Sequence, residues 1–394
     1  MHPTRRATLT GSLAAPFAAR RGMAQGAPIL IGSVTPQTGA GGPYGPPMVK
    51  VMRAVFDEVN AAGGVLGRKL ELTSEDDETN PDAGVRAARK LIDVNRAVAV
   101  LGTWASAVTS AAAPLCWESR TMLFTVSGAD SITKLPHGGF IIRTQPNTLL
   151  QSSRAGQFLL QQGSKRVFGL SAQTPFAVDS YNALAEELKK GGADGAGDVI
   201  YDATKSSFRA EVDQAMRAKP DTVFLNSYTP DLIVLLRELY RAGFEGRKLT
   251  PGYAANAKLL DALPVEVTEG LMSYAPSPNI DNPAYARVKQ ILGADPDPYS
   301  CQVYDHASLV ALSIAKAGAA SGQAIHDAVR QVSQGTGQTV TDAVAGIKLL
   351  AAGKDVNYDG ASGPCDFLRS GDIAGCKFRF DIAEKGKNRL LSLS

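Results

Sequence analysis

From Ile29 onward the chain alternates short apolar runs with amphipathic stretches, and this alternation constrains the fold more than any other feature. Strand-like runs lie at 29–34, 69–73, 97–101, 122–126, 140–143, 166–171, 199–201, 222–226 and 248–251. Between them lie helix signals. Asn80 before Pro81 is a good N-cap and first-turn pair for a helix to about 95. Residues 178–190 and 231–242 are amphipathic, and the second stretch stops at Gly243. Strands alternating with helices predict parallel sheets covered on both faces. Nine strands fit two sheets better than one, with the break near 143–147. The last third changes character: 299–317, 324–333 and 340–351 have helical periodicity, and alternating runs at 378–382 and 389–393 end the chain. Terminal helices after a second α/β series predict that the chain returns to its first domain.

A length of 394 residues is consistent with two domains. With 44% apolar and 20% charged residues the chain is an ordinary folding composition, which excludes a disordered protein. There is no uninterrupted apolar run of about 18 residues, which excludes a helical membrane bundle. The net charge of +3 is set by the N-terminus: Arg5, Arg6, Arg20 and Arg21 fall within the first 27 residues, beside no acid. Beyond them 37 basic residues face 38 acidic ones, with no basic block, so nucleic acid is not an expected partner. Residues 1–27 have the form of an export signal, with Arg5-Arg6, a modest apolar stretch and small residues at 24–27. The 4–9 string resembles a twin-arginine signal, and an ordinary Sec signal is the alternative.

Of four cysteines, Cys365 and Cys376 enclose a turn-like Ser370-Gly371-Asp372 and are a candidate disulfide in an oxidising compartment. Cys116 and Cys301 fall in helical patterns and are expected as buried thiols. No Cys-x-x-Cys occurs and the histidines are scattered, so no metal site is expected. Glu75-Asp76-Asp77-Glu78 lacks calcium-loop spacing and is expected to be a solvated strand end. Nucleophile-elbow, zincin and phosphate-loop motifs are absent, so neither an enzyme nor a cofactor is expected. The glycine-rich 38–45 loop fails the dinucleotide pattern, because Tyr44 stands where its third glycine belongs.

The expected ligand positions follow strands. A strand ends at Leu101-Gly102-Thr103, and Trp104 and Ser106 lead into a helix. Ligands of open α/β sheets bind at the carboxyl ends of strands, and helix N-termini offer free N–H groups. Ser106 either caps that helix or donates to a ligand carboxylate. Ser127 and Ala129 follow the next strand on the same rim. Tyr44, Trp104, Phe176, Tyr228 and Tyr253 each sit on a strand-end loop, and together they suggest one shared cleft.

These residues resemble those of type I periplasmic solute-binding proteins of ABC importers, in the branched-chain amino-acid-binding (leucine/isoleucine/valine-binding) group. The resemblance covers 28–394 and rests on Ile31-Gly32-Ser33-Val34-Thr35-Pro36 with Thr38-Gly39, Val59 to Arg68, Glu75 to Pro81, Ala87 to Ile92 and Val100-Leu101-Gly102. It implies two Rossmann-like lobes joined by a three-strand hinge: 28–143 with 277–355, and 144–276 with 356–394. It also implies a ligand carboxylate at Ser106, Ser127 and Ala129, with Tyr44, Trp104, Phe176 and Tyr228 lining the cleft. Amino-acid binders of the group hold the α-ammonium with an acid on the second lobe. The matching residue here is Gly252, beside Tyr253, and a buried ammonium without a carboxylate is costly. The expected ligand is therefore a carboxylate-bearing, aromatic or apolar solute without an α-ammonium. The implied setting is the periplasm of a Gram-negative bacterium, with a monomer delivering its ligand to the ABC permease. A ligand sensor of the same fold is the alternative.

Overall fold

The computed structural model describes residues 26–394; the expected signal, apart from its last two residues, lies outside them. The first sheet is parallel and comprises β1 (Ile29–Thr35), β2 (Leu70–Asp76), β3 (Ala99–Thr103), β4 (Met122–Thr125) and β5 (Ile141–Arg143), in the order β2-β1-β3-β4-β5. Its crossovers include α1 (Gly45–Ala61), α2 (Pro81–Arg89) and α3 (Ser106–Glu118). As expected, Asn80 caps α2: its side chain accepts from Asp82 N and Ala83 N. A π-helical turn over Lys90–Val94 completes that helix.

The chain then crosses to a second sheet. Here α4 (Thr148–Gln161) leads into β6 (Arg166–Ala172), α5 (Pro175–Lys190), β7 (Asp194–Tyr201), α6 (Arg209–Arg217), β8 (Thr222–Asn226), α7 (Thr229–Arg241), β9 (Arg247–Pro251), the short α8 (Ala257–Ala262) and α9 (Val265–Thr268), and β10 (Leu271–Pro276). It crosses back through α10 (Pro283–Leu292), α11 (Pro298–Ala317), α12 (Gly322–Ser333), β11 (Gln338–Val340), α13 (Ala343–Ala351) and β12 (Val356–Tyr358). The hairpin β13 (Phe378–Glu384) and β14 (Lys387–Leu393) finally adds antiparallel strands to the second sheet, giving β14-β13-β10-β9-β8-β6-β7. This is the mixed α/β, two-lobed architecture expected.

Burial shows how the segments divide. The returning helix α11 is buried along almost its whole length, and Val303, Ala307 and Val310 join the core of the first sheet. Residues 356–373 were expected with the second lobe. Instead Val356, Tyr358, Ala361, Cys365, Phe367 and Ile373 pack in the first core. The anchor is Asp305 of α11, whose carboxylate accepts from Tyr358 Oη at 2.8 Å, Ala361 N at 2.8 Å and Ser362 N at 2.9 Å.

The same division corrects the disulfide. Both Cys365 and Cys376 are free thiols. Cys365 is buried in the first core, where it faces Gly363 O, whereas Cys376 packs on the second core. The turn between them pairs Phe367 with Ile373 as expected of a hairpin, but the chain then leaves one lobe for the other before Cys376. The Glu75–Glu78 stretch is also not a solvated end. Asp76 accepts from Gln37 N, Thr38 N, Thr38 Oγ1 and Glu78 N, clamping the loop after β1. Asp77 is fully buried.

Candidate functional site

The site begins where β3 gives way to α3. Ala105 occupies the N-cap position and has no side chain able to cap, so the first-turn N–H groups lack a side-chain acceptor. Ser106, the first residue of the helix, is therefore not the cap. Its Oγ instead accepts from Ala129 N at 3.1 Å, which leaves its own O–H as a donor. A hydroxyl oriented by a loop N–H and a positive helix end thus meet at one point, an arrangement that suits a carboxylate.

The loop carrying Ala129 is fixed from behind. Arg143, at the end of β5 and with no exposed surface, donates to Ala129 O at 2.7 Å. Its Nε meets Asp372 Oδ1 at 2.5 Å, and Thr133 Oγ1 also donates to that carboxylate. Ser127 belongs to this framework. Its Oγ lies 2.5 Å from Thr109 Oγ1 and 2.9 Å from Trp104 O, and its N–H donates to Thr125 Oγ1. Neighbouring Val126 and Gly128 line the cavity in its place. The expected carboxylate contact from Ser127 is thus replaced by a role in holding the loop. Gly128 lets the loop pack closely: a Cβ there would lie 2.7 Å from Phe176 Cε2 and 2.9 Å from Gln151 Nε2, so both side chains would have to shift.

Rings from both lobes close over this rim. Trp104 stacks on Tyr44 with centroids 5.5 Å apart and meets Tyr253 and Tyr299 edge-on at 5.6 and 5.8 Å. Tyr228 tilts against it at 5.6 Å, and Phe176 reaches Tyr253 at 5.9 Å. Trp104 Nε1 is buried without a hydrogen-bond partner. Burial pushes the phenols of Tyr44, Tyr228, Tyr253 and Tyr299 well above the ordinary tyrosine range, so all four stay neutral.

The structure therefore gathers Trp104, Ser106, Phe176, Tyr228 and Tyr253 around one small cavity of about 30 Å³. Ala129 stands one hydrogen bond behind Ser106. Tyr44 and Gly252 line a second, larger space on the far side of the tyrosine wall. A Cβ at Gly252 would approach Ala275 Cβ at 3.0 Å and Tyr274 O at 3.2 Å, so an acid is not simply missing there; the backbone leaves it little room.

Sequence reasoning did not single out Tyr299, Gln145 or Arg143. Tyr299 sits in the first turn of α11, directly after the Asp295-Pro296-Asp297-Pro298 string that starts the helix. Gln145 lies on the first crossover, and its Oε1 accepts from Gln302 Nε2 at 2.7 Å. Among the described residues no cluster of three His, Cys, Asp or Glu could hold a metal.

Polar groups and rings gathered at a cleft between two α/β lobes form the architecture of a protein that closes on a solute. The sequence model of the periplasmic binding protein family matches residues 28–374, and the chain belongs to that family. It is 25% identical over 312 residues to the leucine-, isoleucine-, valine-, threonine- and alanine-binding protein of Pseudomonas aeruginosa, covering 77% of this chain and 82% of that one. Among solved structures it is similar to a leucine-binding protein of Thermotoga maritima, with a TM-score of 0.80, 21% identity, and coverage of 93% and 98%. It is also similar to a solute-binding protein of an R. palustris ABC transporter in complex with benzoate, with a TM-score of 0.75, 16% identity, and coverage of 93% and 96%.

Proposed function

We propose that this protein is the periplasmic solute-binding component of an ABC importer and that its ligand is a small aromatic or apolar carboxylate. The observation carrying this reading is the pairing of Ser106 Oγ with Ala129 N–H at the uncapped start of α3, directly beneath the aromatic rings. The carboxylate sits on the Ser106 O–H, whose oxygen the Ala129 N–H holds in place, and on the first-turn N–H groups. The body of the ligand lies against Trp104, Phe176, Tyr228 and Tyr253, and Trp104 Nε1 gains an acceptor. Closure of the lobes excludes water and strengthens each polar contact. The crossovers at 144–147, 277–282 and 374–377 form the hinge.

A ligand without an α-ammonium is supported by Gly252, where crowding by Ala275 and Tyr274 disfavours the acid that an ammonium needs. The P. aeruginosa relative is named for amino acids and the R. palustris structure holds benzoate; the aromatic lining here favours the second kind. One lobe pair completes the site, so the working unit is a monomer that docks on the permease. Residues 1–27 direct export by a twin-arginine or Sec route.

The test is calorimetric titration of the mature protein with benzoate, phenylacetate and leucine. The two aromatic acids are expected to bind and leucine to fail. Tight leucine binding with no response to either acid overturns the reading.

A further inference from the structure

The cavity at Ser106 is too small for the ligand it is built to grip. Its 30 Å³ holds about one water, whereas small-molecule pockets run to roughly 300–1,000 Å³. A second cavity of about 400 Å³ lies beside it, also between the lobes. Two residues line both spaces, Tyr253 and Tyr299. They border both spaces, one from each lobe's side of the cleft. Tyr253 rests on a strand-end loop, its ring held by edge and tilted contacts with Trp104, Phe176 and Tyr228.

The second chamber has its own chemistry. Tyr44 and the prolines at 251, 276, 296 and 298 give it apolar faces. Two of its acids are paired with cations, and the third, Asp297, is held by hydrogen bonds alone. Asp297 caps α11 through Tyr299 N and Ser300 N, and Asp295 pairs with Lys289. Arg379 of β13 donates Nε and Nη2 to Asp381 at 2.8 and 2.7 Å, so its remaining nitrogen, Nη1, is the group that can serve a ligand oxygen. A second carboxylate finds no unpaired cation here, and the carboxylate of Asp297, which no cation among the described residues pairs, is already engaged by Tyr299 N, Ser300 N and Ser300 Oγ. An apolar chain or ring ending in a neutral oxygen does fit.

We infer that the two cavities are halves of one elongated site: the ligand is an aromatic or aryl-alkyl carboxylate whose acid end is held at Ser106 and the start of α3 and whose uncharged distal end passes between Tyr253 and Tyr299 into the chamber beside Arg379. This rests on the carboxylate reading above and goes beyond it in assigning the length of the ligand and the residues that measure it. Ala275 and Ala257 line only the second chamber, from β10 and from the start of α8, and touch none of the proposed carboxylate groups.

The test is titration of the mature protein with a series running from benzoate through phenylacetate and phenylpropanoate to phenylbutanoate, with para-hydroxy counterparts. Affinity is expected to rise at least tenfold from benzoate to the best longer acid and further with the hydroxyl. Ala275→Phe and, independently, Ala257→Phe fill the chamber; each is expected to remove that gain while leaving benzoate affinity within twofold, which also shows that the variant is folded. Affinity that falls along the series, or longer acids unaffected by both substitutions while benzoate binds, overturns the two-chamber site and leaves the carboxylate reading standing. Failure of every acid to bind wild-type protein overturns both.

Discussion

Arg143 and Asp372 lie 229 positions apart and meet with Nε 2.5 Å from Oδ1, in a buried pair that also fixes the ligand rim, because Arg143 donates to Ala129 O at 2.7 Å. The pair ties the end of β5 to the segment through which the chain last leaves the first lobe. Its contribution shows when one partner is removed, since a buried charge then loses its match. Arg143→Met is expected to cost about 3–5 kcal/mol of unfolding free energy. Arg143→Met with Asp372→Leu is expected to recover a large part of it. Urea denaturation of both variants decides; a loss below about 1 kcal/mol in the single variant refutes the coupling.

Ser106→Ala removes the hydroxyl proposed to face the ligand and, with it, the acceptor of the buried Ala129 N–H, so binding and folding both respond. Hydrogen bonds to a charged group are worth about 1.5–3 kcal/mol, or roughly 10- to 150-fold in affinity. Benzoate affinity is expected to fall by at least that factor, and the unliganded protein to lose about 1–3 kcal/mol because the Ala129 N–H is left without a partner. A loss of stability with benzoate affinity unchanged would place Ser106 in the framework alone.

The fold was legible where apolar runs are uninterrupted, as in β4 and β8. It was less so at β7, where Asp194-Gly195-Ala196-Gly197-Asp198 lacks strand character. Pairing with β6 imposes the strand there, with a register shift at Val167/Phe168 and Gly197 at φ +124°, its N–H donating to Tyr181 Oη. Serine and proline broke the apolar signal of β10. Periodicity also cannot say which core a segment joins. The contacts of Asp305 with Ala361 and Ser362 decided that for 356–373, and with it the fate of Cys365 and Cys376. In the site, Trp104 and Ser106 were visible as a strand end followed by a helix start. Tyr299 was hidden because it arrives from 195 residues downstream, and Arg143 because a strand-end arginine ordinarily signals solvent.

Asp305 and its chain neighbour His306 titrate in opposing senses. Burial pushes the Asp305 carboxyl up to about 6, against hydrogen bonds from Ser362, Tyr358 and Ala361 N–H. Burial pulls the His306 imidazole down to about 3. An acid with a raised folded pKa contributes stability present below its ordinary value of 3.8 and lost as pH rises through about 6. The histidine contributes stability present above 6.5 and lost as pH falls toward 3. Between pH 4 and 6 the two oppose each other. Asp305→Asn is therefore expected to lose stability more steeply than wild type on acidification from pH 7 to 4, and His306→Gln less steeply. Urea midpoints across that range check the slopes, and parallel curves for all three proteins would refute the assignment.

The cysteines give a chemical count. Burial pushes Cys116 and Cys376 up to about 12 and raises Cys301 and Cys365 well above the ordinary thiol range, so native thiols are protonated and shielded. Protein unfolded in guanidinium without reductant is expected to release four thiols to a chromogenic disulfide reagent, and native protein almost none. A count of two on unfolding would restore a disulfide and require the 365–376 segment to bridge the two cores.

Tyr44 reaches across the cleft from the start of α1, its hydroxyl donating to Tyr253 O at 2.7 Å while its ring stacks on Trp104. The ring contributes to the packing of the first lobe, and the hydroxyl joins the two lobes. Tyr44→Phe keeps the first and deletes the second. One hydrogen bond of about 0.5–1.5 kcal/mol then no longer favours the closed form, and a ligand that binds that form loses affinity by roughly two- to tenfold. The loss is expected in the dissociation rate, because an open cleft still admits ligand as before while a closed one reopens sooner. Stopped-flow mixing followed by Trp104 fluorescence measures both rates. A slower association with unchanged dissociation would show instead that Tyr44 guides entry, and the Tyr44–Tyr253 hydrogen bond would have no part in holding the lobes together.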